Sequence, residues 1–331
     1  MWEVVGHEWA VKILSGSLAK GKISHAYLFV GPHQIGKTTL ALSFAKALNC
    51  HNEVRPCGSC RACLKISRGL HPDVQVVESR GPTIGIDTIR TIQRGASLSP
   101  YEGRWKVYII CEMEKATVEA SNCLLKTLEE PPPHVVLILT AKGKEPLLPT
   151  IVSRCQVLSL KPLPIEVVEE ALRIRLNLDE ERARFLARLS SGRLGWAIRA
   201  SKDESILKRR GKRLEEILDL MEKSRVERFA YAYEISRNRE EALEVIEIWQ
   251  SFWRDLLLVA GRSEVEVTNV DYKDSLKELG MRYSISKVLD FILALQEAAW
   301  QLNHNANARL ALECLLLRLP KGHAEGNRNQ I

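Results

Sequence analysis

Short apolar runs alternate with amphipathic stretches along the first half of the chain. Residues 26–30, 74–78, 107–111, 135–140 and 156–160 are continuous or nearly continuous apolar runs. Strands of a parallel sheet buried on both faces read this way, whereas half-exposed strands alternate. Helical patterns lie between most of the runs, so the order predicts repeated strand–helix–strand units and an α/β domain. One helix is easily bounded. Residues 116–130 are rich in helix formers, and Pro131-Pro132-Pro133 ends the segment by removing donors and clashing with the preceding turn.

After residue 160 the strand signal fades. Pro162 and Pro164 punctuate the chain, and 166–200 reads as short helices joined around Ser190-Ser191-Gly192. From about residue 205 everything reads as helix. Over 244–259 apolar residues recur at spacings of three and four, and Gly261 stands where a left-handed C-terminal cap is expected. The stretch Trp249 to Trp253 reads as helix-packing core rather than a platform for stacking bases. Residues 284–319 read as one long amphipathic segment, and the polar tail from Lys321 is expected to fray.

Composition narrows the class. At 331 residues the chain is long enough for two or three domains, and 45% hydrophobic with 27% charged residues is ordinary for a globular protein. Disorder, collagen and a disulfide miniprotein are excluded. No run is long and apolar enough for a transmembrane helix, and Met1-Trp2-Glu3-Val4-Val5 lacks the bases and apolar region of a signal peptide, so a cytoplasmic location is expected. The net charge of +7 permits contact with nucleic acid without requiring it. Its densest cluster, Arg209-Arg210-Gly211-Lys212-Arg213, reads as a solvated helix face.

Two motifs carry chemistry. Gly31-Pro32-His33-Gln34-Ile35-Gly36-Lys37-Thr38 fits G-x-x-x-x-G-K-[ST], follows a strand and opens a helical segment at Thr39. Backbone N–H groups around Gly31 and Gly36 would wrap phosphate oxygens, Lys37 would reach the terminal phosphates, and Thr38 would hold Mg²⁺. ATP or ADP is therefore the expected ligand. The strand 107–111 ends in Cys111-Glu112, where an acidic pair usually supports such a loop. Glu112 could orient or deprotonate a water, but a neutral thiol is a poor partner for a hard cation. Hydrolysis is accordingly expected to be weak. The second motif is Cys50-x6-Cys57-x2-Cys60-x2-Cys63, four thiols in short reach, as tetrahedral Zn²⁺ requires. An iron–sulfur cluster and metal-free thiols are the alternatives, though the bacterial cluster run would need a cysteine at Ser67. Cys111, Cys123, Cys155 and Cys314 read as small core hydrophobes. His25 and His134 read as strand-edge residues, and at His33 the backbone is expected to matter more than the ring.

Together with these motifs, Ser24-His25-Ala26-Tyr27-Leu28-Phe29, His71-Pro72-Asp73-Val74 and Leu98-Ser99-Pro100-Tyr101-Glu102-Gly103 resemble the bacterial clamp-loader family of the AAA+ class. So do Leu124-Leu125-Lys126-Thr127-Leu128-Glu129-Glu130-Pro131-Pro132 and Leu148-Pro149-Thr150-Ile151-Val152-Ser153-Arg154-Cys155. The resemblance implies a nucleotide domain over 1–162 with a zinc module at 50–63, a helical lid over 163–204 and an all-α collar over 205–331. It implies a subunit of the replicative DNA polymerase III holoenzyme, acting with gamma/tau and delta subunits in ATP-driven loading of a sliding clamp onto primer-template DNA. Ser153-Arg154-Cys155 is similar to the family motif whose arginine enters a neighbouring subunit's ATP site; a planar, permanent charge suits that task. Departures favour a stator over a gamma-like ATPase motor. Gln34 replaces a common glycine, and Cys111 the magnesium-associated Asp. Gly195 stands where motors carry a second-sensor arginine, with Arg193 out of register. Thr140 is the candidate first sensor. A zinc protein that grips DNA by itself is the binding-module alternative. No polymerase-like carboxylate pair is present.

Overall fold

The computed structural model describes residues 2–79, 81–304 and 306–321. The tail after Lys321, expected to fray, lies outside them. The chain forms two units, one running to Leu178 and including Gly192–Trp196, the other Asp179–Ser191 with the chain from Ala197 onward.

Five strands build the first unit: β1 (Ala26–Val30), β2 (Val74–Val77), β3 (Lys106–Ile110), β4 (Val135–Ala141) and β5 (Gln156–Ser159). They are all parallel, in the order β2-β3-β4-β1-β5. The continuous apolar runs are explained by burial from both sides, since every residue of β1, β3 and β4 is buried. Ala26, Leu28 and Val30 pack on one face with Ile89, Ile92, Leu124 and Leu128 of the helices Ile86–Ala96 and Val118–Glu129. Tyr27 and Phe29 pack on the other with Leu14, Leu40 and Phe44 of the helices Glu8–Ala19 and Lys37–Asn49. The helix Val118–Glu129 starts where the Thr117 hydroxyl accepts the Ala120 N–H and stops before the prolines. Loops leaving the carboxyl ends of parallel strands are where such sheets bind ligands, and the loops after β1 and β3 carry the two candidate nucleotide motifs.

The second unit is helical and has its own core around Trp249, Phe252, Trp253 and Phe291. Both tryptophans are fully buried, as core residues should be. Trp249 Nε1 donates to the Arg213 carbonyl at 2.8 Å, and the Trp253 and Phe291 rings lie 4.5 Å apart. Arg228, 3% exposed, serves two helix ends at once. Its guanidinium donates to the carbonyls of Leu220 (2.8 Å) and Met221 (3.1 Å), and to those of Leu316 (3.1 Å) and Leu319 (2.8 Å). Helix C-termini leave such carbonyls without partners and favour positive charge. Among the described residues no helix is long and apolar enough to cross a membrane.

Four local expectations change. Gly261 has φ −79°, and the left-handed residue is Arg262 at φ 52°. The Arg262 N–H bonds Val259 O and the Ser263 N–H bonds Leu258 O, which closes the helix one residue later in a Schellman arrangement. The segment 284–319 is two helices, Ile285–Asn303 and Ala308–Leu317, because Asn307 starts the second by accepting the Leu310 N–H at 3.2 Å. The basic cluster is not simply solvated. Arg210 pairs with Asp271 at 2.6 Å and with Asn269, while Arg213 pairs with Glu216 at 2.8 Å and with Glu241. Cys314 is exposed rather than core.

Candidate nucleotide site and thiol cluster

The loop Gly31 to Gly36 joins β1 to the helix Lys37–Asn49. Gly36 has φ 110°, a conformation that an L side chain resists, and it opens the helix without a side-chain cap. The first-turn N–H groups of Lys37, Thr38 and the exposed Thr39 thereby point at an anion site. The Lys37 ammonium, 8% exposed, folds back onto its own loop, donating to the carbonyls of Gly31 at 2.6 Å and Pro32 at 2.7 Å. Burial pulls its pKa down to about 8.

Gln34 sits in the left-handed region at φ 61°, a conformation that glycine adopts most readily. Its carbonyl accepts the Gly195 N–H at 2.9 Å. A Cβ on Gly195 would lie 2.6 Å from that oxygen, so no side chain fits there while the loop holds this position. The residue standing at the expected sensor position thus contributes only backbone.

Cys111 follows β3, with its Sγ 3.8 Å from Thr38 Oγ1. Burial pushes this thiol up, which keeps it neutral. Magnesium takes oxygen ligands and favours carboxylates. A protonated sulfur facing the Thr38 hydroxyl supplies neither charge nor oxygen, so these residues do not fit the ion. Glu112 is left-handed at φ 54°, and its N–H donates to Thr140 Oγ1 at 3.1 Å. Its carboxylate lies 2.9 Å from Lys115 Nζ and 3.4 Å from His33 Nδ1. Burial opposes its charge, but Lys115 and His33 hold its pKa below the ordinary value. The His33 ring thus touches the site's acid, a role not anticipated. Glu114 was also missed. It is a largely buried acid with its pKa raised by burial, one oxygen accepting the Lys142 N–H at 3.3 Å and Oε2 lacking a partner. Only its closeness to Glu112 along the chain could have signalled it.

The four clustered thiols converge. Cys50 ends the helix Lys37–Asn49, Cys60 caps and Cys63 lies within the helix Arg61–Ser67, and Cys57 lies in the loop before them. Their Sγ atoms all fall within 4.8 Å of one another, with Cys57–Cys63 at 4.0 Å and Cys50–Cys60 at 3.9 Å. A tetrahedron of sulfurs about Zn²⁺ has edges of about 3.8 Å, so the donor set fits that ion. The Cys60 N–H is the main group drawing the Cys57 thiol down to about 5, while burial drives Cys63 up to about 12. The cluster is anchored below. Asn49 bridges the Trp105 N–H at 2.9 Å and its carbonyl at 3.0 Å, and Lys65 reaches Glu102 at 2.6 Å. Asp73 accepts the N–H groups of Tyr101, Glu102 and Gly103 at 2.7, 2.8 and 2.8 Å, which holds that loop in place.

Arg154 follows the short helix Pro149–Val152. Its guanidinium pairs with Glu129 at 2.7 Å and donates to Thr150 O at 3.0 Å, and it stays about one-third exposed at 35%. Neighbouring Cys155 is partly buried, and desolvation raises its pKa to about 12.

Comparisons with known proteins bear on this arrangement. A family model described as DNA polymerase III, delta subunit matches residues 6–164, and one described as DNA polymerase III, delta subunit, C terminal matches residues 207–321. The DNA polymerase III subunit delta' of Bacillus subtilis (strain 168) is 30% identical over 320 residues, covering 94% of this chain and 95% of that protein. The DNA polymerase III subunit tau of Escherichia coli (strain K12) is 39% identical over 199 residues, which is 58% of this chain and 31% of that protein. A DNA polymerase III gamma subunit-related protein of Thermotoga maritima, of solved structure, aligns over 92% of this chain and 97% of its own at 19% identity and TM-score 0.47.

Proposed function

The chain belongs to the DNA polymerase III delta-prime family of AAA+ clamp-loader subunits, and from that premise we propose that it is the loader's stator. In this reading it works in the cytoplasm with gamma/tau and delta subunits to place a sliding clamp on primer-template DNA. Residues 1–162 form its nucleotide domain, 163–204 its lid and 205–331 the collar that joins the ring. Zn²⁺ on Cys50, Cys57, Cys60 and Cys63 has a structural role, because all four positions around the ion are taken and none is left for chemistry.

The observation that carries the stator reading is Cys111 against Thr38. A loop with Gly31, Gly36, Lys37 and Thr38 in place can wrap phosphates, but the group that would support turnover is a buried neutral thiol. Glu112 is engaged by Lys115 and His33, and position 195 supplies no cation. ATP or ADP is held without efficient hydrolysis. Arg154 instead serves a neighbouring subunit: its planar charge would stabilise the transferring phosphoryl group of that site once it leaves Glu129.

Equilibrium nucleotide binding and steady-state turnover on the purified chain test the first half. Binding with negligible turnover is expected. Robust hydrolysis that Lys37→Ala abolishes would establish a gamma-like motor instead.

A further inference from the structure

Of the departures around the P-loop, Cys111 at the end of β3 has a consequence that goes beyond slow hydrolysis. In a P-loop the Ser/Thr hydroxyl after the lysine binds the metal that bridges the phosphates, and an acid at a neighbouring strand end steadies it. Here the hydroxyl is Thr38 Oγ1, and 3.8 Å away stands the sulfur of Cys111, itself only 7% exposed. Of the acids nearby, Glu78 acts on Cys111 from an exposed position beyond the end of β2, and the other two are engaged elsewhere. Glu112 turns its two oxygens to Lys115 and His33, and Glu114 is a partly buried acid with one oxygen on the Lys142 N–H. Phosphate-binding groups that need no metal are intact by contrast. Gly36 opens the helix with first-turn donors, and Lys37 is a buried cation whose ammonium donates to two carbonyl oxygens and feels the charges of Glu114 and Glu112.

We propose that this loop is a magnesium-independent phosphate site, binding nucleoside di- and triphosphates through Lys37 and backbone N–H groups, with Cys111 as the residue that removes the metal. The inference rests on the reading of the loop as a nucleotide site. Free nucleotide and its magnesium complex then compete differently than at a motor site. Added Mg²⁺ finds one neutral hydroxyl, Thr38 Oγ1, and no carboxylate behind it, and it withdraws free nucleotide from solution. Affinity should stay level or weaken as Mg²⁺ is added, where a metal-dependent site would tighten.

The test is calorimetric titration of the full chain with ATPγS, in buffer cleared of divalent ions over chelating resin and in the same buffer with millimolar MgCl₂. Clearing the buffer beforehand avoids an added chelator that would strip an ion from the cysteine cluster. Wild-type Kd should be equal or weaker with Mg²⁺, and Cys111→Ser should behave likewise. Cys111→Asp restores a carboxylate opposite Thr38 and should gain at least about tenfold tightening with Mg²⁺, or ~1.4 kcal/mol. Tenfold tightening in the wild type overturns the inference while leaving the nucleotide site standing. An Asp variant that folds, binds and shows no gain also overturns it, since Cys111 is then not the determinant. If wild type and variants bind no ATPγS in either buffer, the nucleotide reading itself falls and takes the inference with it.

Discussion

Lys37 is a cation in a place that disfavours its charge, and that has a pH signature. Burial lowers its pKa from the ordinary 10.5 to about 8. The unfolded chain therefore binds more protons than the folded one between those values, and the lysine's penalty on folding fades as pH rises through that window. Bound phosphate reverses the preference by favouring the charged form. Above about pH 8 nucleotide binding should take up a proton, and affinity should fall by up to about tenfold per pH unit. Calorimetry in buffers of different ionisation enthalpy reads that proton directly. Lys37→Arg, permanently charged, should flatten the profile even where it weakens binding.

At the scale of elements, the thiol cluster and the Arg228 junction make separate predictions. Metal analysis of protein purified without chelators should find one Zn²⁺ per chain. Cys60→Ser should lose it and raise hydrogen exchange around 50–67, leaving the helical unit unchanged, since the ligands lie in one compact insertion. Iron in place of zinc would refute the assignment. Arg228→Met takes the guanidinium from four carbonyls at two helix ends and should destabilise the helical unit by about 3 kcal/mol in chemical denaturation. The strands were legible because burial on both faces writes continuous apolar runs, and the P-loop and cysteine spacing were legible because their chemistry is local. Other features depend on partners far along the chain. Arg210 and Arg213 look like a solvated cluster until Asp271 and Glu241 arrive from other parts of the chain. The break after Asn303 was hidden because apolar periodicity continues across it, and only the Asn307 cap marks the restart. Glu114 and the His33 ring belong to the site through folding alone.

For the whole molecule, Arg154 is the residue through which the chain would act on others. In a reconstituted loader, Arg154→Ala should leave assembly intact but depress DNA-stimulated hydrolysis and, more strongly, clamp loading. Fingers of this kind contribute ~10³–10⁵ in rate at a single site, diluted here because a loader has several. Arg154→Lys should not rescue, as an ammonium lacks the planar fork. Wild-type hydrolysis and loading with Arg154→Ala would reduce Arg154 to the partner of Glu129. The Gly195 N–H on the Gln34 carbonyl has a further consequence, for engineering. The loop's own backbone closes position 195 to side chains. Any larger residue meets a carbonyl oxygen at 2.6 Å, so Gly195→Arg alone would have to displace the loop. Building a motor from this chain would therefore take a rebuilt loop and an arginine at 195 as well as an acid at 111.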